Sequence, residues 1–250
     1  MNIRNLRDIK GYKNAHGESL KENMIFRGGA LDNISQAEGE KFRDEYEIGY
    51  VVDLRDDQEA QESPDIDISS IEHFHIPALA NINDEDGAFD FGTMFKAEPS
   101  VDAVGAIHNY LVEGYRMMAF NNKAFHKIFD ILLNEDKKLY YHCTAGKDRT
   151  GIATFLIMLA LDFSEEEAIR EYLLSNEYID EFNKHLLANI KVDDEIKEAF
   201  RPILYVSREF IDETITAIKT RYDSYDEFLL AEYGIDSGKK KLLRSKYCVQ

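Results

Sequence analysis

The 250-residue sequence has no tryptophan, two cysteines and four prolines, and its 30 lysines and arginines are outnumbered by 48 aspartates and glutamates. Each shortage excludes something. Two cysteines, Cys143 and Cys248, cannot make a disulfide framework, and pairing them would silence the more reactive one, so a structural disulfide is not expected. With no Pro/Gly/Ser-rich linker, the expectation is one domain over residues 1–250. A net charge of -18 disfavours a nucleic-acid or anionic-membrane binder. An anionic substrate would meet a repulsive overall field, so a pocket for one has to be locally positive. No apolar run approaches about 18 residues, and the first 20 residues hold no apolar core of signal-peptide length. The expected protein is soluble and cytoplasmic, without stable membrane insertion, and export by a non-classical route stays open. Cys248 sits third from the end, which does not fit a prenylation box. The missing tryptophan bears on where a catalytic acid can sit.

What is present suffices for a full core, at 44% hydrophobic residues, and one stretch, residues 139–151, is the most specific of all. An apolar run ends at Cys143, and an apolar helix begins near Arg149. Five residues lie between them, enough for one tight loop that brings thiol and guanidinium to the same small anion. Backbone amides of Thr144, Ala145, Gly146, Lys147 and Asp148 can point inward as a nest. Gly146 tolerates unusual dihedrals there, and the following helix aims its positive end at the same spot. Arg149 adds a planar fork for two phosphate oxygens. The same donors favour a thiolate, since helix N-termini and nearby cations lower a cysteine pKa from about 8.5 into the range of roughly 3.5 to 7.5. Cys143 is then a candidate nucleophile at neutral pH. Thr150 can place a hydroxyl near the sulfur and help it leave, and Asp148 is a candidate acid for the leaving oxygen. By itself Cys143 would read as a small buried hydrophobe. The offsets of Gly146, Arg149, Thr150 and Gly151, between two apolar runs, favour the anion loop.

The string HCTAGKDRTG, residues 142–151, resembles the phosphate loop of the cysteine-dependent protein tyrosine phosphatase superfamily. Its inner residues 145–151 are most similar to the bacterial tyrosine, serine and lipid phosphatases of that superfamily. Residues 5–12 (NLRDIKGY) resemble that family's opening, with Lys10 where it has a glycine; residues 26–31 (FRGGAL), 53–55 (DLR) and 172–176 (YLLSN) resemble further family motifs. Arg221, Tyr222, Asp223, Ser224 and Tyr225, followed by Phe228 and Leu229, are similar to its closing segment. The likeness runs nearly end to end, loosest between residues 80 and 120. It implies a tyrosine-phosphatase-like α/β fold, a mostly parallel central sheet flanked by helices, with a helical C-terminal half. It implies also a metal-independent phosphomonoesterase without cofactor, acting through a phosphocysteine and releasing inorganic phosphate. The implied substrates are phosphotyrosine proteins, with phosphoserine/threonine or phosphoinositides in addition; an enzyme mainly of phosphoinositides or inositol phosphates is the alternative. Many members of the superfamily carry the acid on a Trp-Pro-Asp loop. Without tryptophan, this chain must take it from elsewhere, and the resemblance points to both Asp148 and Asp53. Asp148 is preferred as the acid, with Asp53 as orienter or as the acid.

Along the chain, Met24 to Phe26, Tyr50 to Leu54, Glu72 to Ile76 and Lys138 to His142 read as short strands. Ser35 with Glu38 opens a helix to about Tyr46, Ser100 caps another, and Asn121 or Asn122 the next. Residues 80–99 are acidic and read as a loop or short lid. A helix from about Arg149 to Leu161 is apolar on nearly every side, and from Ser164 the chain is expected to be helical to its end, with a break at Pro202. The region 164–200 reads either as a lid or as packing. The basic stretch 239–246 reads as a solvated helix, or else as a contact for anionic lipid or a neighbouring subunit. Strands separated by helices imply a mostly parallel sheet, whose ligands sit beyond the strand C-terminal ends. That rule gathers Arg27, Asp53, Arg55, His75, His142 and Cys143 on one edge. Asp53 could equally pair with Arg55 or Arg149 as a structural carboxylate. His142 is expected to tune the loop by hydrogen bonds rather than hold a metal, and His73 and His75 to share one strand face as structural residues. Lys147 offers the loop a second cation, compatible with phosphoinositides and with phosphoproteins.

Two other classes remain in view. Sulfur or arsenate chemistry could use a similar loop, but the Arg149 and Thr150 pair and the lack of a nearby resolving cysteine weigh against it. A non-catalytic phosphoprotein-binding module would not require the thiol of Cys143.

Overall fold

The computed structural model describes residues 3–79 and 100–250, so the expected loop or lid over 80–99 lies outside the described residues. A five-stranded sheet organises the fold. Its strands are β1 (Arg7–Asp8), β3 (Ile25–Gly28), β4 (Ile48–Asp53), β5 (Glu72–His75) and β6 (Lys138–His142), in the order β1-β3-β6-β4-β5. Only β1 runs antiparallel to its neighbour; β3, β6, β4 and β5 are mutually parallel. A parallel sheet is covered on both faces, so its strands lose the polar alternation of a half-exposed one. Every residue of β4 is buried accordingly. In β6, Tyr140 and Tyr141 point to opposite faces. Tyr140 joins a smaller cluster with Phe42 and Val51, and Tyr141 the larger one with Ile152 and Phe155.

Helix α1 (Gln36–Tyr46) covers the smaller cluster and starts at the expected capping box of Ser35 and Glu38. The short α2 (Asp57–Glu62) follows β4. On the other face lie α3 (Val101–Met117), α4 (Lys123–Asn134), α5 (Asp148–Ala160) and α6 (Glu165–Asn189). The remaining helices are α7 (Asp194–Leu204), α8 (Arg208–Arg221), α9 (Tyr225–Tyr233) and α10 (Ser237–Tyr247). Ser100, Asn122, Ser164, Ser207 and Ser224 each accept a backbone amide of the first turn, the reason these boundaries follow from local sequence. All of α5 except its first residue, Asp148, is buried, which explains its apolar circumference.

Four features depart from the expectations. Helix α2 was not expected, although Asp56 and Glu59 form a full capping box. Pro202 does not break a helix but lies inside α7, which ends two residues later at Leu204. The chain is not helical to its end, because β7 (Cys248–Val249) pairs with β2 (Ser19–Leu20). The basic stretch 239–246 is not a freely solvated face. Lys240 pairs with Asp162 and Asp226, Arg244 with Asp162, and Lys246 donates to the carbonyls of Leu133 and Glu135. These cations pin α10 to the fold and are not available to lipid.

Because Leu156 is fully buried in α5, Leu156→Ala is expected to cost about 2–5 kcal/mol of stability. Urea denaturation monitored by circular dichroism measures it, and a loss under about 1 kcal/mol would show that the core is not organised around this helix.

Candidate active site

Cys143 stands directly after β6, and α5 begins five residues later at Asp148. The loop between them is set by backbone contacts. Gly146 has φ +68°, and a Cβ there would lie 2.3 Å from the carbonyl carbon and oxygen of Gly28. No side chain fits, so the loop rests on the Gly28 and Gly29 turn at the end of β3. Two long-range donors hold the Gly146 carbonyl from below, Asn5 Nδ2 at 2.7 Å and Arg27 Nη2 at 2.8 Å. Arg27 is fully buried and also donates to Thr154 and Ser175. Arg7 bonds Glu171 at 2.8 Å and Ser175 at 3.1 Å, so a buried network ties β1, β3 and α6 together beneath the loop. Burial, and then repulsion from Arg7, pull Arg27 down to about 10; it remains a cation at neutral pH.

The sulfur of Cys143 is 2% exposed and unpaired. The Thr150 hydroxyl donates to it at 3.3 Å. Burial pushes the thiol pKa up, but the charge of Arg149 and the hydrogen bonds from the Thr150 hydroxyl and amide outweigh it, leaving the pKa below its ordinary value. The guanidinium of Arg149 is in turn gripped by Glu59 of α2 through both carboxylate oxygens, one contact measuring 2.8 Å. Burial pushes Glu59 up, yet Arg149 holds it well below the usual carboxylate range. Thr144 also donates to Glu59. Glu59 is the main functional residue that sequence reasoning missed. The signal that could have found it is the Asp56 and Glu59 spacing directly after the 53–55 motif, which predicts a helix start beside the loop.

The two candidate acids part company here. Asp148 lies on the pocket, its carboxylate accepting from the Tyr115 hydroxyl at 2.7 Å and pairing with Lys147 at 2.9 Å. Asp53 is 1% exposed and does not line the pocket. It is clasped by Arg55 at 2.8 Å, the structural pairing weighed from sequence, and stands behind the loop. Asp53, Arg55, Asp65 and His142 make one buried ion cluster. His142 Nε2 lies 3.0 Å from Asp65 and its Nδ1 3.8 Å from Asp53. Burial lowers the imidazole pKa, but the two carboxylates overcome this and raise it. Asp53, Asp65, His73 and His142 present ligand atoms within 4.8 Å of one another, the one such group among the described residues. The guanidinium of Arg55 pairs with both aspartates, at 2.8 and 3.0 Å, and they raise the pKa of the His142 beside them. His75 meets the Arg55 carbonyl at 2.9 Å and stays outside the pocket.

Lys147 does not offer a second free cation to the loop. Its ammonium is buried and donates to the Ile203 carbonyl at 2.8 Å as well as pairing with Asp148. Above the loop opens a cavity of about 190 Å³ with Cys143, Arg149 and Asp148 at its floor. Its walls are Leu79, Tyr110, Leu111 and Met118 on one side, and Ile179, Phe182, Leu186, Ile203 and Leu204 of α6 and α7 on the other. The region 164–200 therefore walls the pocket as well as packing.

A thiol thus lies at a helix N-terminus, with Thr150 and Arg149 acting on it, at the C-terminal edge of a parallel sheet. A model described as the tyrosine phosphatase family matches residues 1–249, and the chain belongs to that family. It is 28% identical over 234 residues to a Cupriavidus necator protein assigned as a tyrosine-protein phosphatase, covering 94% of this chain and 83% of that one. It is 26% identical over 247 residues to the triple specificity protein phosphatase PtpB of Mycobacterium tuberculosis, covering 92% and 83%. Among solved structures, Pseudomonas aeruginosa TpbA in complex with phosphotyrosine shares 10% identity at a TM-score of 0.32, over 74% of this chain and 90% of that one. Among the described residues, no helix is long and apolar enough to cross a membrane.

The depressed thiol pKa has a direct readout. The pH midpoint for alkylation of Cys143 by iodoacetamide is expected below the ordinary value of about 8.5, and Thr150→Val is expected to raise it by about one pH unit. A midpoint at or above the ordinary value in the unaltered protein contradicts the thiolate assignment.

Proposed function

We propose that this chain is a protein tyrosine phosphatase that works through a phosphocysteine intermediate. The observation that carries the reading is Cys143, buried at the pocket floor between the Thr150 hydroxyl and the start of α5, with its pKa lowered by Arg149. The thiolate attacks phosphorus as the ester O–P bond breaks, and Asp148 gives its proton to the departing oxygen. Loop amides and Arg149 meet the charge spread over the equatorial oxygens. Arg149 has five N–H donors, and the Glu59 carboxylate takes a hydrogen bond from each terminal nitrogen, which leaves Nε–H among those free for phosphate. In the second half, water attacks phosphorus, Asp148 takes its proton, and the Thr150 hydroxyl stabilises the sulfur as the S–P bond breaks. Inorganic phosphate is released. Neither step calls on a metal or a cofactor.

The pocket walls favour an aromatic phosphoester. A phenyl ring buries apolar surface against them, whereas the hydroxyls of an inositol would be desolvated there without partners. The triple specificity in the name of the mycobacterial relative supports phosphoserine, phosphothreonine or phosphoinositides as further substrates. The engagement of Lys147 by Ile203 and Asp148 weighs against phosphoinositides as the main ones.

Cys143→Ser is expected to abolish phosphate release from a phosphotyrosine peptide while vanadate still binds; retained turnover would rule out the nucleophile. Asp148→Asn is expected to slow alkyl or phenyl phosphates by roughly 10²–10⁴-fold and p-nitrophenyl phosphate much less. An equal loss on good and poor leaving groups would remove the acid role from Asp148.

A further inference from the structure

Among the described residues, three cations line the catalytic pocket, and two are committed: Lys147 to Asp148 and Ile203, Arg149 to Glu59. The third is Arg4, half-buried, with no side-chain hydrogen bond or carboxylate partner at salt-bridge distance among the described residues. Its guanidinium carbon stands over the Phe182 ring, 3.8 Å from the centroid. Stacking uses the face of a guanidinium and leaves its edge N–H donors open. Burial lowers its pKa, against the opposing pull of Asp32 and Cys143. A half-buried cation without an anion carries a desolvation cost that an anionic ligand would relieve.

Arg4 and Phe182 also line a neighbouring cavity of about 580 Å³, with Ile3, Leu6, Asn33 and Tyr178 among its walls and Glu181 on its edge. The stacked pair is thus a ridge between two spaces, one ending at Cys143 and the other open to a group beside the scissile ester. Walls that mix apolar side chains with the amides of Asn5 and Asn33 suit a peptide side chain and its backbone. Glu181, Asp32 and the net charge of -18 penalise a doubly charged phosphate more than a singly charged carboxylate.

We propose that Arg4 is a specificity-determining residue, receiving the carboxylate of an acidic side chain next to the phosphotyrosine while the peptide runs into the neighbouring cavity. This rests on the phosphotyrosine reading above. It makes the N-terminal segment part of the substrate site: Asn5 holds the loop from beneath, and Arg4 reads the substrate from its mouth.

The test compares kcat/KM on phosphotyrosine peptides that differ only in Glu or Gln immediately before, or immediately after, the phosphotyrosine. The unaltered enzyme is expected to favour Glu at one of these positions by about 3- to 10-fold, mainly through KM. Arg4→Gln is expected to bring that ratio to about one, and Arg4→Glu to shift preference to a Lys-flanked peptide. Equal rates on Glu and Gln peptides at both positions in the unaltered enzyme overturn the proposal without need of any variant. A preference that survives Arg4→Gln overturns it too, as does an effect of Arg4→Gln confined to phosphatidylinositol phosphates. Should the unaltered enzyme hydrolyse phosphoserine peptides or phosphoinositides but no phosphotyrosine peptide, the underlying reading fails and this inference with it.

Discussion

A thiol kept out of water is the constraint on which this structure turns. At 2% exposure Cys143 loses nearly all hydration, and burial alone would push its pKa up. Arg149, the Thr150 hydroxyl and the first amides of α5 offset that loss, and they can do so only if the loop holds its curvature. The curvature depends on Gly146 at φ +68° against the Gly28 backbone, and on Asn5 and Arg27 holding one carbonyl. Those two residues are anchored beside Arg7, Glu171 and Ser175. The reactivity of one atom thus reaches back through a buried polar network to the start of the chain and to α6.

Two carboxylate systems flank this thiol and serve different ends. Glu59 acts on Arg149 directly, engaging both terminal nitrogens of its guanidinium. The Asp53, Asp65, Arg55 and His142 cluster lies behind the loop, and Arg55 pairs with both of its aspartates. Keeping them paired matters, because an unpaired aspartate at this distance would oppose the thiolate through a low-dielectric interior. His142 is held between two carboxylates, and its Nδ1 meets the Cys143 carbonyl at 3.2 Å, so the cluster bears on the loop through geometry.

The pocket resolves the awkward sign of the molecule as a whole. In a chain with net charge -18, the pocket lining sets Arg4, Lys147 and Arg149 against Glu59 and Asp148, and the rest of its walls are largely apolar. The site is charged at one end and greasy beyond it, the profile of an aryl phosphate. Helices α6 and α7 supply one wall, and Lys147 fastens that wall to the loop through the Ile203 carbonyl.

Helix starts with their Ser or Asn caps were legible because capping is a contact over three residues, and the loop 142–151 because its thiol, glycine and arginine are neighbours in sequence. The break placed at Pro202 comes two residues later, after Leu204, and 239–246 was misread because its acidic partners, Asp162 and Asp226, lie outside that stretch. The identity of the acid could not be read locally either: Asp148 and Asp53 were both plausible until one proved to face the pocket and the other Arg55. By itself, then, the sequence determined that Cys143, Gly146 and Arg149 share one loop between a strand and a helix, and the order of strands and helices, since short-range spacing encodes both. Only the tertiary structure decided that Glu59, 90 positions away, grips Arg149, that Asp53 stands behind the loop, and that Arg4 stacks at its mouth. Those are contacts between segments remote in sequence, which only the packing of the sheet and its helices brings together.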